Sequence, residues 1–186
     1  AKMNLRRFKE EIQLKDGRKL IIKEANPDEA KEIIRYVSTV GGESDFLTFG
    51  AGEYKISLEQ EIKLIHGSIE SDNQVILIGW VQNVIVGCVT FRAGKWQRVR
   101  HTGEFGVTVS KRNWGLGIGT LMTESLLNWA RGSKVIRKIN LRVHSDNDRA
   151  IAVYKKLGFI EEGKITREYH IDGEFFDNIL FGMKID

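Results

Sequence analysis

Apolar residues recur along this chain with two periods, and the switches between them mark out its elements. Ile12 and Leu14 precede Asp16-Gly17 and Leu20-Ile21-Ile22 follow it, so two short β-like runs flank a tight-turn dipeptide and predict a hairpin. From about Pro27 the period lengthens to that of a helix, with Ile33, Ile34 and Val37 as its apolar stripe. Asn26 suits its cap, Pro27 its first position, Asp28 and Glu29 its dipole, and Gly41-Gly42 its end. A second helix starts at Ser57, where Ser57 and Gln60 make a capping box and Leu58, Ile62, Ile65 and Ile69 keep helical spacing. Between the two, Gly41 to Tyr54 reads as an irregular segment with apolar anchors.

Beyond Asp72 the texture turns to β. Val75 to Val81 and Val84 to Phe91 are apolar runs around Gln82-Asn83; a basic loop, Arg92 to His101, leads to another strand from about Gly103 to Val109. Ile118, Leu121, Met122, Leu126, Trp129 and Ala130 form a helix stripe that Gly132 is expected to terminate. Ile139, Leu141 and Val143 alternate as a strand, a helix from about Asp146 to Leu157 stops at Gly158, and two last strands flank Asp172-Gly173. The order predicts a mixed α/β chain with a βαβ unit in its second half. With no linker, repeat or low-complexity tract, residues 1–186 read as one domain, the first ten flexible or partly vector-derived because Ala1 and Lys2 precede Met3.

Composition narrows the function classes. The 186 residues carry 29% charged and 41% hydrophobic positions with no apolar run of membrane length, which points to a soluble globular protein. One cysteine, Cys88, excludes an internal disulfide and a multi-thiolate metal site; with no leader-like opening, a cytoplasmic location is expected. The net charge of +4 comes from 29 basic and 25 acidic residues interspersed, which suits an anionic ligand and falls short of a nucleic-acid stripe. The informative imbalance is 19 glycines beside one proline.

Three of those glycines alternate in Val107-Thr108-Val109-Ser110-Lys111-Arg112-Asn113-Trp114-Gly115-Leu116-Gly117-Ile118-Gly119-Thr120, where a strand gives way to a loop that opens a helix. Such a junction suits phosphate: first-turn N–H groups point outward, the dipole favours negative charge, and missing Cβ atoms admit an anion to the backbone. A Walker loop would need a lysine before Thr120, and a dinucleotide fold an acid at the end of the next strand, Asn140-Leu141-Arg142-Val143; both are missing.

The segment resembles the acyl-CoA signature of the GCN5-related N-acetyltransferase (GNAT) superfamily, Gln/Arg-x-x-Gly-x-Gly/Ala. The two glycines fall on Gly117 and Gly119 with Trp114 in the leading position, or, in a second register, on Gly115 and Gly117 with Arg112 leading. Trp114 with Glu104-Phe105-Gly106-Val107 upstream resembles the branch of ribosomal-protein N-terminal and polyamine acetyltransferases. Asn147-Asp148-Arg149-Ala150-Ile151-Ala152-Val153-Tyr154-Lys155-Lys156-Leu157-Gly158-Phe159 is similar to the family's second element, Asn-x-x-Ala-x-x-x-Tyr-x-x-x-Gly-Phe. Read without the resemblance, this is a capped helix with Ala150, Val153 and Leu157 in the core, Asn147 as cap and Tyr154 at the core edge.

The resemblance implies a GNAT-like fold: a central mixed, mostly antiparallel sheet with a βαβ cofactor unit flanked by helices. It implies acetyl-CoA as co-substrate, no metal, and direct attack by a primary amine in a ternary complex. Val107, Thr108 and Val109 would pair with the pantetheine arm, an N–H near Val109 would face the thioester oxygen, and Gly115, Leu116, Gly117, Ile118, Gly119 and Thr120 would bind pyrophosphate. Asn147 would touch the pantetheine amides and Tyr154 would protonate the departing sulfur. Glu104, three residues before Val107 and so on the other strand face, is the candidate base; its alternative is an ion pair with Arg98 or Arg100, and Gly103 and Gly106 beside it suggest a bulge.

Other residues carry less. His66, His101, His144 and His170 share no metal-ligand spacing, Cys88 reads as core, and Glu43, Asp45 and Glu53 would either attract a cationic acceptor or be solvated. Competing readings are a CoA-binding sensor or ribosome-associated module without turnover, and an RNA-binding module resting on Arg92, Lys95, Arg98 and Arg100 around Trp96. The acceptor, and whether the chain forms a homodimer, are left open.

Overall fold

The Asp16-Gly17 turn closes a hairpin between β1 (Lys9–Gln13) and β2 (Lys19–Glu24). This is the first step of an eight-stranded sheet in a computed structural model that describes residues 7–43 and 50–186. β3 (Gln74–Val81) and β4 (Val84–Ala93) are joined by Gln82 and Asn83, both at positive φ (49° and 63°), the twist that a two-residue hairpin requires. β5 (Thr102–Val109) and β6 (Lys138–His144) follow, then β7 (Ile160–Ile171) and β8 (Glu174–Lys184) about Asp172-Gly173. The order is β1-β2-β3-β4-β5-β6-β8-β7, and every neighbouring pair is antiparallel except β5 and β6.

Helices cover both faces. α1 (Ala30–Val40), entered through a 3-10 turn at Pro27–Glu29, and α2 (Leu58–Glu70) bury Ile33, Tyr36 and Ile65 against Ile78, Ile85 and Cys88. At the start of α2 the Ser57 and Gln60 side chains and backbones bond reciprocally, at 3.1 and 2.9 Å. On the other face α3 (Ile118–Ser133) and α4 (Asp148–Leu157) pack on Leu77, Val89, Phe91, Phe105 and Leu141, with Met122 and Leu126 fully buried. The predicted mixed, mostly antiparallel sheet with its β5-α3-β6 unit is therefore the architecture observed. No helix among the described residues is long and apolar enough to cross a membrane.

Several local expectations are corrected. α3 runs through Gly132 to Ser133, because Lys134 takes the left-handed conformation (φ 57°) and the Ser133 hydroxyl accepts the N–H groups of Val135 and Ile136. Leu58 stands exposed, while Tyr36 is more buried than its stripe neighbours Ile34 and Val37. In α4 the buried residue is Tyr154, with Ala150, Val153 and Leu157 only half-buried. β5 carries no bulge: its register with β4 is unbroken from Gly103 to Val109, and the register shifts lie at Gly79/Trp80 in β3 and at Glu161/Gly163 and Ile165/Tyr169 in β7. Gly103 is glycine because a Cβ there would run into the Arg92 carbonyl.

Candidate active site

β5 and β6 stay together for three residues only. Thr102, Gly103 and Glu104 pair with Lys138, Ile139 and Asn140; beyond that, β5 continues to Val109 against β4 alone, and β6 to His144 against β8 alone. The two parallel strands thus open into a wedge. Ser110 N–H donates to the Val86 carbonyl at 2.9 Å and Thr108 lies opposite Cys88 in the same register, so by strand alternation the polar groups of Val107 and Val109 point away from β4 into the wedge. The Val109 carbonyl is already taken, since the Trp114 indole N–H donates to it at 2.9 Å. The Val107 pair and the Val109 N–H stay open to an extended ligand lying along the edge.

The loop beyond β5 supplies the second part. Gly115 and Gly117 sit at positive φ (85° and 75°) with open space where a Cβ would stand, and Gly117 caps α3 without a side chain. Gly119 is ordinary helix within contact distance of Val109, so conformation singles out Gly115 and Gly117, the pair in the Arg112 register. Leu116 packs on the core and pins the loop between them. The first intrahelical bond runs from Leu121 N–H to the Gly117 carbonyl; the six N–H groups from Gly115 to Thr120 meet no acceptor among the described residues. Six unpartnered donors at the N-terminus of a 16-residue helix, with exposed Lys111 and Arg112 beside them, form an anion cradle.

The third part comes from α4, which packs on the same face of the sheet as α3. The Tyr154 ring is 8% exposed and meets Phe105 and Phe159 edge-on, at 6.0 and 5.8 Å between centroids. Its hydroxyl makes no hydrogen bond among the described residues, and burial pushes its pKa up to about 12, so it holds its proton at any working pH. Asn147 is the N-cap of α4: its Oδ1 accepts the Ala150 N–H at 3.2 Å, which leaves its amide Nδ2 without a bond among the described residues.

The opposite face of β5 carries charge. Glu104 is exposed, and its partner is neither Arg98 nor Arg100: Oε1 accepts from Arg142 Nε at 2.9 Å, and Arg142 also bonds Glu168. Arg100 pairs with Asp72. Glu104 and Arg142 line a cleft of 310 Å³ with Thr102, Asn140, Glu162 and Leu180. Further along this face the Tyr36 hydroxyl lies 3.0 Å from Thr108 Oγ1, and the Tyr54 hydroxyl donates to Glu61 Oε2 at 3.2 Å.

Tyr36, Tyr54, Glu61 and Arg142 had no place in the sequence-based site. Spacing held a signal for one of them, since Glu61 precedes Ile65 by four and Ser68 by seven and so shares their buried row.

The remaining candidates disperse. His144 is buried, its ring tilted at 42° against Phe176 with 4.7 Å between centroids, and its Nδ1 accepts the Asp146 N–H at 3.2 Å. Cys88 is buried among apolar side chains, which pushes its thiol up to about 12. Glu43 accepts the Lys111 N–H at 2.8 Å and Glu53 the Gly50 N–H at 2.7 Å; Asp45 lies outside the described residues.

Residues 44–159 match the model of the acetyltransferase (GNAT) family. Over 105 residues, 54% of this chain and 62% of the relative, the sequence is 30% identical to the L-amino acid N-acetyltransferase AaaT of Escherichia coli. Over 120 residues, 62% of this chain and 64% of the relative, it is 26% identical to the spermidine N(1)-acetyltransferase of Vibrio cholerae. The chain thus spans a little under two-thirds of each of these curated relatives. The crystal structure of a GNAT-family acetyltransferase from Streptococcus pneumoniae superposes with a TM-score of 0.87 at 32% identity, covering 90% of this chain and 99% of that one. A parallel pair that splays over a glycine-capped helix, a family match across well over half the sequence and a structural relative of nearly full length agree: the chain belongs to the acetyltransferase (GNAT) family.

Proposed function

We propose that the protein transfers an acetyl group from acetyl-CoA to a primary amine by direct attack within a ternary complex. The observation that carries this reading is the run of unpartnered N–H groups from Gly115 to Thr120 at the open end of the β5–β6 wedge, which fits a pyrophosphate next to an extended arm. Acetyl-CoA supplies a thioester acyl group, and this chain's residues do the rest. The backbone of Gly115, Leu116, Gly117, Ile118, Gly119 and Thr120 holds the diphosphate. The Val107 N–H and carbonyl pair with the pantetheine arm like an added strand, with Thr108 beside them turned toward Tyr36 and Trp114 fixing the strand end. The Val109 N–H faces the carbonyl oxygen on which charge develops. Asn147 Nδ2 takes a pantetheine amide.

Tyr154 and Glu104 lie on opposite sides of β5, so the departing sulfur and the attacking amine are served from different faces. Tyr154 donates its proton to sulfur. Glu104 keeps one oxygen on Arg142 and offers the other, through water, to the proton the amine sheds before attack. A family fold without turnover would leave Tyr154 idle. The test is acetyl-CoA-dependent thiol release across a panel of polyamines, amino acids, aminoglycosides and N-terminal peptides. The reading predicts release with at least one amine class, and acetyl-CoA binding with no release across the panel would favour a CoA-binding module.

A further inference from the structure

Glu61 is a carboxylate in the wrong place for a structural acid. It stands in the first turn of α2, 4% exposed, and accepts one hydrogen bond, from Tyr54. No lysine, arginine or histidine reaches it among the described residues, although the chain carries 29 lysines and arginines. A buried carboxylate with one neutral donor and no cation destabilises the fold through lost hydration. Helix-dipole attraction in the first turn offsets only part of that.

Its position connects it to the wedge. Glu61 is near enough to Cys88 for its charge to disfavour the thiolate, Cys88 lies opposite Thr108 across the β4–β5 register, and Thr108 bonds Tyr36. Tyr54, Glu61, Cys88, Thr108 and Tyr36 therefore form one patch behind the stretch of β5 whose edge lines the wedge. That patch is on the face away from Tyr154, the face to which the acetyltransferase reading assigns Glu104 and the attacking amine.

We propose that Glu61, oriented by Tyr54, is the anionic subsite that takes the ammonium group of a cationic aliphatic amine acceptor. The missing counter-ion is then the substrate itself. The bound ammonium supplies the charge the fold withholds, while a neutral or anionic acceptor would leave the carboxylate unpaired. The assignment rests on the acetyltransferase reading and adds a residue that selects the acceptor.

The test uses the full chain with CoA bound and spermidine as the cationic probe. The parent is expected to gain thermal stability on adding spermidine, and Glu61→Gln to lose that gain while starting from an equal or higher Tm, because the isosteric amide removes an unpaired charge. With acetyl-CoA, Glu61→Gln should raise the KM for spermidine by about tenfold or more with kcat and the KM for acetyl-CoA changed less than about threefold. Glu61→Asp should recover part of the loss, and Tyr54→Phe, which keeps the charge and loosens it, should fall between. A spermidine shift and KM in Glu61→Gln equal to the parent's would overturn the subsite, as would a parent that spermidine does not stabilise. Failure to bind acetyl-CoA at all would instead overturn the acetyltransferase reading, so the two failures are distinct.

Discussion

The indole N–H of Trp114 donates to the carbonyl of Val109 over 2.9 Å, tying the loop that opens α3 to the last residue of β5. Strand edge and anion cradle are thereby held in one geometry, with Lys111 Nζ 5.9 Å from the indole centroid on its outer side. Trp114→Phe keeps the ring and loses the donor. A hydrogen bond of about 1 kcal/mol predicts a roughly fivefold weaker acetyl-CoA affinity. Calorimetry measures it, and because Trp114 is exposed the melting temperature should move little.

Tyr154→Phe should lower turnover by about 10- to 100-fold at unchanged acetyl-CoA affinity, as expected when a general acid is lost and its ring packing is kept. The packing on Phe105 and Phe159 needs only the ring, so stability should stay near the parent's. Single-turnover rates on both proteins check this, and equal rates would remove Tyr154 from the chemistry.

Glu104→Gln should flatten the acidic limb of the pH-rate profile, because the amide cannot accept the proton the amine sheds. The variant also breaks an exposed ion pair with Arg142, worth at most about 1 kcal/mol. A small change in Tm with an altered pH profile supports the base, and an unaltered profile contradicts it.

Glu61 adds a pH dependence of stability. Burial raises its carboxyl above the ordinary 4.5, against the smaller opposing effect of the Tyr54 hydrogen bond. Between 4.5 and the raised value the folded chain binds the proton more tightly than the unfolded one, so the contribution is full below 4.5 and is lost as pH rises through the folded value. Glu61→Gln should remove that decline. Urea unfolding from pH 4 to 8 would show a shallower fall in the variant, and parallel curves would contradict the burial of an unpaired acid.

The sequence made the local devices legible and left the distant ones hidden. Capping at Ser57 and Asn147, the left-handed stop at Gly158 and the hairpin turns all depend on a few adjacent residues, and each stands where its pattern placed it. Gly132 failed as a stop because Lys134 accepts positive φ at modest cost once Ser133 captures the following N–H groups. The splay of β5 from β6 is a matter of which strand pairs with which, and periodicity carries no such information. Glu104 finding Arg142, 38 residues on, instead of Arg98 or Arg100 is the same failure in side chains. Glu61 stands at helical spacing from Ile65 and Ser68, but only the packing of α2 on the sheet shows that no cation pairs with it among the described residues.

Acetyl-CoA binding to the parent chain and to Gly117→Asp, followed by titration calorimetry, bears most directly on the cradle. Gly117 sits at φ 75°, which aspartate and asparagine tolerate better than most residues, so Gly117→Asn controls for backbone strain and Gly117→Asp adds the negative charge. Saturable one-to-one binding by the parent, a modest loss in Gly117→Asn and a loss of about 100-fold or more in Gly117→Asp are the predicted result. Equal affinity in all three proteins would place the phosphates elsewhere and contradict the account.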